Sequence, residues 1–292
     1  MPLAYLRFCL SEKMPEGSAG IIYLNILYPV FVMAKHHVFI KSSDNIRIAG
    51  ILSTPGKPGK HPAVLFLHGF LSGKDSKKTH AIIDELKDDI VCLAIDFRGH
   101  KESTGNIREI TLTGCLDDAR AAIDFLRDQP EVNPARLGVY GSSLGGATAI
   151  HLAAEISAIR ALVLVAAVGD FKELNTHEFS PESIALWQDE GYIEFTNLET
   201  GKKVPVDSAF LADTCAYDGY VAARRIKART LICHGDADNV VPLSHAKKLR
   251  QAIPGAMLKI IHNEGHLFTA SKRTVGAMLD DIASFFKEAL LP

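Results

Sequence analysis

From His36 onward, short apolar runs rich in β-branched residues alternate with amphipathic stretches along most of the chain. "HHVFIK" and "IRIAGILS", separated by the polar "SSDN", predict an opening antiparallel pair of strands. Six further runs, "AVLFLH" (63–68), "IVCLAI" (90–95), "RLGVYG" (136–141), "ALVLVAA" (161–167), "TLICHG" (230–235) and "MLKIIH" (257–262), are apolar at nearly every position. A strand with one wet face alternates apolar and polar residues, whereas a strand buried on both faces does not. These runs therefore predict a parallel sheet covered by helices on both sides. The helices come from stretches such as "THAIIDELKDD", "TGCLDDARAAIDFLRD" and "SHAKKLRQAI". In the last of them, "TVGAMLDDIASFFKEALL", helical spacing puts Val275, Met278, Leu279, Ile282, Phe286 and Ala289 on one face, which reads as core. The alternation implies an α/β fold: one doubly wound, mostly parallel sheet of about eight strands.

Two segments break the pattern. Residues 171–225 contain no strand-helix unit; a helical piece, a hairpin turning at "ETGKK" and more helix predict a small cap inserted after the sixth strand. The core then consists of 33–170 and 226–292. Residues 1–32 form an N-terminal extension, in which the apolar run "AGIIYLNILYPVFVMA" (19–34) is interrupted by Asn25 and Pro29. That run is shorter than the ~20 residues of a membrane span, so no stable insertion is expected. A signal peptide or weak anchor, or an element packed on the domain, are the alternatives to the reading adopted, that Met33 is the working start.

Apolar residues make up 47% of the chain and charged residues 23%, as in a soluble globular protein. The net charge is −2, from 32 basic and 34 acidic residues, and no basic run exceeds a pair. Nucleic acid would require a clustered positive field, so the expected partner is a small molecule. The cysteines Cys9, Cys92, Cys115, Cys215 and Cys233 are scattered and show no CxxC spacing; Cys92 and Cys233 sit inside strand-like runs and read as core. A reducing, cytoplasmic setting is the corresponding expectation.

The chemistry begins at "VYGSSLGGAT" (139–148), which has two adjacent serines. A serine on a sharp strand-to-helix turn needs small residues two places to either side, in the pattern G-x-S-x-G. Ser143 has Gly141 and Gly145 there, while Ser142 would have Tyr140 and Leu144, so the register selects Ser143. Its position after "RLGVYG" and before "LGGATAIHLAAEI" is the carboxyl end of a parallel strand, where such sheets bind ligands. A serine hydroxyl needs a base, usually a histidine held by a carboxylate. Among twelve histidines, His266 in "HNEGHLF" follows the last strand on a loop of turn residues. His68 and His100 read as loop-ordering residues, and His151 and His245 as surface or packing residues. Asp170, Asp236 and Asp238 are candidate acids. Asp238 reaches furthest into its loop and is the one selected; Asp236 is expected to brace its own turn through backbone amides, and Asp170 stays as the alternative.

Ser143, Asp238 and His266 occur in the chain order of the α/β-hydrolase superfamily, and "HGF" (68–70), "DFRGHKES" (96–103), "GSSLGG" (141–146) and "HGDADNVVP" (234–242) resemble its recurrent blocks. The likeness spans residues 36–290. The loop "HGFLSGKDS" resembles that of cinnamoyl and feruloyl esterases and related bacterial esterases with small caps. This resemblance implies a backbone oxyanion hole from the amides of Phe70 and Leu144. It also implies a serine esterase acting on a small-molecule ester through an acyl-enzyme on Ser143, without cofactor or metal. The same machinery would cleave thioesters, amides or peptides. Prolyl-oligopeptidase-type peptidases normally add a β-propeller too large for this chain, dienelactone hydrolases carry cysteine at the nucleophile, and dehalogenases carry aspartate there. A non-catalytic hydrolase fold would ordinarily have lost a triad member. Walker, G-x-G-x-x-G and H-E-x-x-H patterns are lacking. In the cap, Trp187, Tyr192, Phe195, Phe210 and Tyr217 are read as the cap's own small core, with an aromatic wall for an aryl ester as the alternative.

Overall fold

The computed structural model describes residues 34–198 and 200–291. Cys9 and the proposed start at Met33 lie outside the described residues. The chain begins with the antiparallel pair β1 (Ala34–Lys41) and β2 (Arg47–Thr54). Between them Asp44 and Asn45 adopt left-handed φ values of 56° and 57°, which short side chains of this type tolerate. There follow β3 (His61–Leu67), α1 (Lys77–Leu86), β4 (Val91–Ile95), α2 (Leu112–Arg127), β5 (Val132–Ser142), α3 (Leu144–Glu155) and β6 (Ile159–Val165). After β6 the chain leaves the sheet for α4 (Phe171–Glu178), α5 (Pro181–Glu190), the hairpin of β7 (Tyr192–Thr196) and β8 (Lys203–Asp207), α6 (Ser208–Thr214) and α7 (Gly219–Ala223). It returns through β9 (Arg229–Gly235), α8 (Leu243–Ala252), β10 (Met257–Ile261) and α9 (Lys272–Leu290).

The eight-stranded sheet has the order β1-β2-β4-β3-β5-β6-β9-β10, antiparallel at β1–β2 and β2–β4 and parallel elsewhere. The continuous apolar runs divide by strand alternation between two cores. Leu65 and Leu67, Leu93 and Ile95, Val139, and Leu162 and Leu164 face α2, α3 and α8. Val64 and Phe66, Cys92 and Ala94, Tyr140, and Val163 and Val165 face α1 and α9. Because β4 and β5 lie on opposite sides of β3, the sheet order reverses there. The loops after β3 and β5 diverge at such a point and leave a crevice between them.

The segment between β6 and β9 is fastened to the first of these cores. Trp187 is fully buried, its indole N–H donates to the Val206 carbonyl at 3.0 Å, and Val206, Phe210 and Leu211 join the cluster that covers the sheet. Asp213 accepts the Leu112 amide at 2.7 Å, tying α6 to the start of α2. The four described cysteines are free thiols, with Cys92, Cys115 and Cys233 buried. Among the described residues no helix is long and apolar enough to cross a membrane.

His151 on α3 is 9% exposed and edge-on to Tyr217. Burial, slightly offset by Glu155, pushes its imidazole down to about 4. The unfolded chain then binds a proton near the ordinary histidine value of ~6.5 while the folded chain does not, so stability is lost as pH falls between those values. Comparing urea unfolding of the parent and His151→Gln at several pH values should show the parent losing about 3 kcal/mol relative to the variant from pH 7 to pH 4. Parallel curves would show that His151 does not carry this linkage.

Candidate active site

Ser143 occupies the single residue between β5 and α3 and has φ 52° and ψ −115°, a conformation that a non-glycine residue adopts only under constraint. The constraint comes from close backbone approach. A Cβ on Gly141 would lie 2.3 Å from the Gly145 carbonyl oxygen, and one on Gly145 would lie 2.3 Å from that of Leu67 and 2.5 Å from that of His68. The Ser143 amide donates to the Val165 carbonyl at 3.0 Å, and its own carbonyl accepts the Ala147 amide at 3.1 Å. Gly145→Ala is therefore expected to destabilise the fold by roughly 1–3 kcal/mol or more, because backbone atoms cannot step aside as a flexible side chain can. A melting temperature equal to that of the parent would refute the steric argument.

The structure brings together the three residues that the sequence selects. The Ser143 Oγ lies 3.1 Å from His266 Nε2, and His266 Nδ1 lies 2.8 Å from Asp238 Oδ2. The other oxygen of Asp238 accepts the amides of Val240 and Val241, each at 2.9 Å. Burial alone would raise the pKa of this carboxyl, but hydrogen bonds from His234, His266 and the Val241 amide outweigh it and hold the group well below the usual carboxylate range. An ionised Asp238 only accepts, which assigns the proton of neutral His266 to Nδ1 and leaves the Nε2 lone pair facing the serine hydroxyl.

The remaining candidates are placed elsewhere. Asp170 caps α4, accepting the Glu173 amide at 2.7 Å. Asp236 binds its own backbone amide and also reaches beyond its turn: its carboxylate contacts His262 Nδ1 and accepts the Asn263 amide, both at 2.7 Å. It spans to the loop after β10 because β9 and β10 are parallel neighbours whose carboxyl ends lie side by side. His68 and His100 order the loops after β3 and β4. His68 donates to the Gly69 carbonyl at 2.7 Å and accepts the Phe97 amide at 3.0 Å, while His100 accepts the Leu71 amide at 3.3 Å. Burial lowers the pKa of both rings. His245, like His151, is buried and accepts the Gly169 amide.

Three supports escaped the sequence reading. His234 is fully buried, donates to the Val241 carbonyl at 2.8 Å and lies 3.4 Å from Asp238 Oδ2. Glu264 is fully buried and accepts the amides of Ala270 and Ser271, fixing the loop that carries His266. Lys74, 2% exposed, pairs with fully buried Asp96 at 2.8 Å and with Glu102 at 2.6 Å, joining the loops after β3 and β4. Such a pair gives specificity of geometry more than net stability. A charged residue in a sequence gives no sign that it will be buried, although all three stand in clusters of turn and polar residues, "HGDAD", "NEGH", "HGFLSGKDS" and "DFRGHKES".

The loop after β3 runs beside the serine, with a Cβ built on Gly69 falling 3.2 Å from the Ser143 Cβ. Phe70 follows it, and Leu144 is the first residue of α3. Among the described residues neither amide has a hydrogen-bond acceptor. Ser143, His266, Phe70 and Leu144 line one cavity of about 380 Å³. Of the cap aromatics, Phe195 and Phe210 line it as well. Trp187 is cap core, Tyr192 lies outside under the Arg108 guanidinium, and Tyr217 packs on His151, so core and wall share the set. Among the described residues no group of three or more His, Cys, Asp or Glu side chains is arranged to hold a metal ion.

Comparison with known proteins agrees with this architecture. Est1E from Butyrivibrio proteoclasticus, solved with ferulic acid bound, superimposes with a TM-score of 0.75 at 21% identity over 87% of this chain and 100% of its own. A putative hydrolase from Agrobacterium vitis S4 gives 0.72 at 22% identity, covering 87% and 99%. In sequence, the uncharacterized protein YfhR of Salmonella typhimurium is 29% identical over 202 residues, 67% of this chain and 61% of the relative. The uncharacterized peptidase YtmA of Bacillus subtilis is 24% identical over 211 residues, 72% of this chain and 76% of its own. The chain thus spans about three fifths of the length of YfhR. Residues 81–291, which carry the serine turn, both loops of the acid and the histidine, and the cap, match the prolyl oligopeptidase family. The size argument bears on the propeller of such peptidases and not on their hydrolase domain, and on this match the chain, an α/β hydrolase resembling serine esterases in fold, belongs to the prolyl oligopeptidase family.

Proposed function

We propose that the protein hydrolyses carboxylic esters of small molecules through an acyl-enzyme on Ser143. The observation that carries this reading is the relay of Asp238 Oδ2, His266 and Ser143 Oγ at 2.8 and 3.1 Å. His266 Nε2 takes the hydroxyl proton as Ser143 Oγ bonds to the ester carbonyl carbon, and the carbonyl electron pair moves to oxygen. The amides of Phe70 and Leu144 receive that oxyanion. Collapse breaks the bond to the alcohol oxygen, to which His266 returns the proton. Water, deprotonated by the same nitrogen, then releases the acid and restores Ser143. Asp238 keeps the imidazole in the accepting tautomer and stabilises the imidazolium, without itself taking a proton.

A cavity of about 380 Å³ suits one small molecule better than an extended peptide. Membership of the prolyl oligopeptidase family favours amide cleavage as the second reading. The test is a parallel assay of p-nitrophenyl esters of graded acyl length and of peptide p-nitroanilides on the purified chain. Faster acylation by the esters, beyond the difference in intrinsic leaving-group reactivity, supports the ester reading. Turnover of anilides with inert esters overturns it.

A further inference from the structure

The cavity at Ser143 straddles the carboxyl edge of the sheet, and its two sides are chemically different. On the side of α3 and the cap its apolar wall is made by Phe70, Phe171, Leu174, Phe195, Phe210 and Val240, all members or neighbours of the apolar core on that face, with the cap's Asn175, Glu178, Glu194, Thr196 and Asn197 also in the lining. On the side of α1 it is lined by Tyr140, Ser142, Ser76 and Thr79. Alternation along β5 turns Ser142 to the same face as Tyr140, whose ring is 3% exposed within the opposite core. The Ser142 and Tyr140 hydroxyls both belong to the lining of the cavity. Ser76 and Thr79 pair through their hydroxyls at 3.1 Å. Four hydroxyls, two of them joined as a pair, therefore line the cavity on the side of α1. Each hydroxyl has one donor and two acceptor sites, so a pair that satisfies itself retains capacity for a ligand.

The histidine decides which part of a substrate faces them. His266 must protonate the departing oxygen, and the residue after it, Leu267, also lines the cavity, where its carbonyl accepts the Lys78 ammonium of α1 at 2.5 Å. The loop that carries the proton donor thus meets α1 on the side of the four hydroxyls, opposite the cap.

We propose that Ser142, Tyr140, Ser76 and Thr79 form a leaving-group subsite selecting esters of hydroxylated alcohols, with the acid part apolar. The second serine of the pair, excluded as nucleophile by its register, thus acts in specificity. The inference rests on the ester reading above.

Esters of one acid share an acyl-enzyme, so a preference among alcohols belongs in kcat/KM, which reports acylation, and not in deacylation-limited kcat. The experiment compares kcat/KM for glyceryl monobutyrate and ethyl butyrate in the parent, Ser142→Ala and Tyr140→Phe. The parent is expected to favour the glyceryl ester, and each variant to reduce the ratio roughly three- to ten-fold, the worth of one neutral hydrogen bond. A purely structural effect would lower both esters alike and leave the ratio fixed. Phe195→Ala should instead shift the acyl-length profile. A parent ratio at or below one, or a ratio unchanged in both variants, overturns the subsite. Absence of hydrolysis of either ester in the parent, with no fluorophosphonate adduct at Ser143, overturns the ester reading and the inference with it.

Discussion

Ser143→Ala is expected to lower kcat on an activated ester by about 10⁶-fold while leaving the fold intact, the scale on which a serine hydrolase loses turnover with its nucleophile. The magnitude follows from the steps that disappear together. Without Oγ no acyl-enzyme forms, and His266 is left with only water to activate at a distance set for a serine. The residual rate would come from binding and from the Phe70 and Leu144 amides proposed to receive the oxyanion. The turn itself should persist, because its strain is held by the close packing of Gly141 and Gly145 and by the Ser143 main chain, none of which needs the hydroxyl. A fluorophosphonate should add to Ser143 in the parent, with the adduct located by peptide mass, and should fail to add in the variant. Turnover within ten-fold of the parent, or an adduct at Ser142, would show that the chemistry runs elsewhere.

Asp238→Asn is expected to cost up to ~10⁴ in kcat, and Asp170→Asn almost nothing in the chemical step. In the Asp238→Asn variant the amide oxygen can still accept from Val240 and Val241, which fixes the side chain in place and turns its NH₂ toward His266. Two donors then meet, and the ring must present an unprotonated Nδ1, so Nε2 carries the proton and cannot accept one from Ser143. The loss is one of tautomer and not of shape, and circular dichroism should remain that of the parent. Asp170 is occupied as the cap of α4, and its replacement by asparagine keeps an accepting oxygen for the Glu173 amide. Asp236→Asn gives a further control, since neither Asp236 nor its partners His262 and Asn263 line the cavity at Ser143. Measured on one ester, a dead Asp170→Asn beside an active Asp238→Asn would reverse the assignment of the acid.

Hydrophobic pattern alone determined the layered α/β architecture. Strands buried on both faces leave a mark on every residue they contain, and that mark needs no knowledge of partners. The serine turn was equally legible, because its requirement for small residues is local: Gly141 and Gly145 sit two positions from Ser143 and meet backbone from their own neighbourhood and from β3. Asp238 was already preferred as the acid from its place in the loop; what could not be read were the partners that neighbouring loops supply. Asp236 and Asp238 differ by two positions, yet one faces His262 and the other His266, and the difference lies in how the loops after β9 and β10 fold over one another. The same packing buries His234 near the end of β9, Glu264 and the Lys74–Asp96 pair, whose burial no local pattern announced. It also divides the cap aromatics, sending Trp187 into the core and Phe195 and Phe210 to the cavity wall. Local sterics and periodicity act through the chain itself and are written in its order. The contacts that join Ser143 to a histidine 123 residues away are set by the sheet, which alone brings the ends of β5, β9 and β10 to one edge.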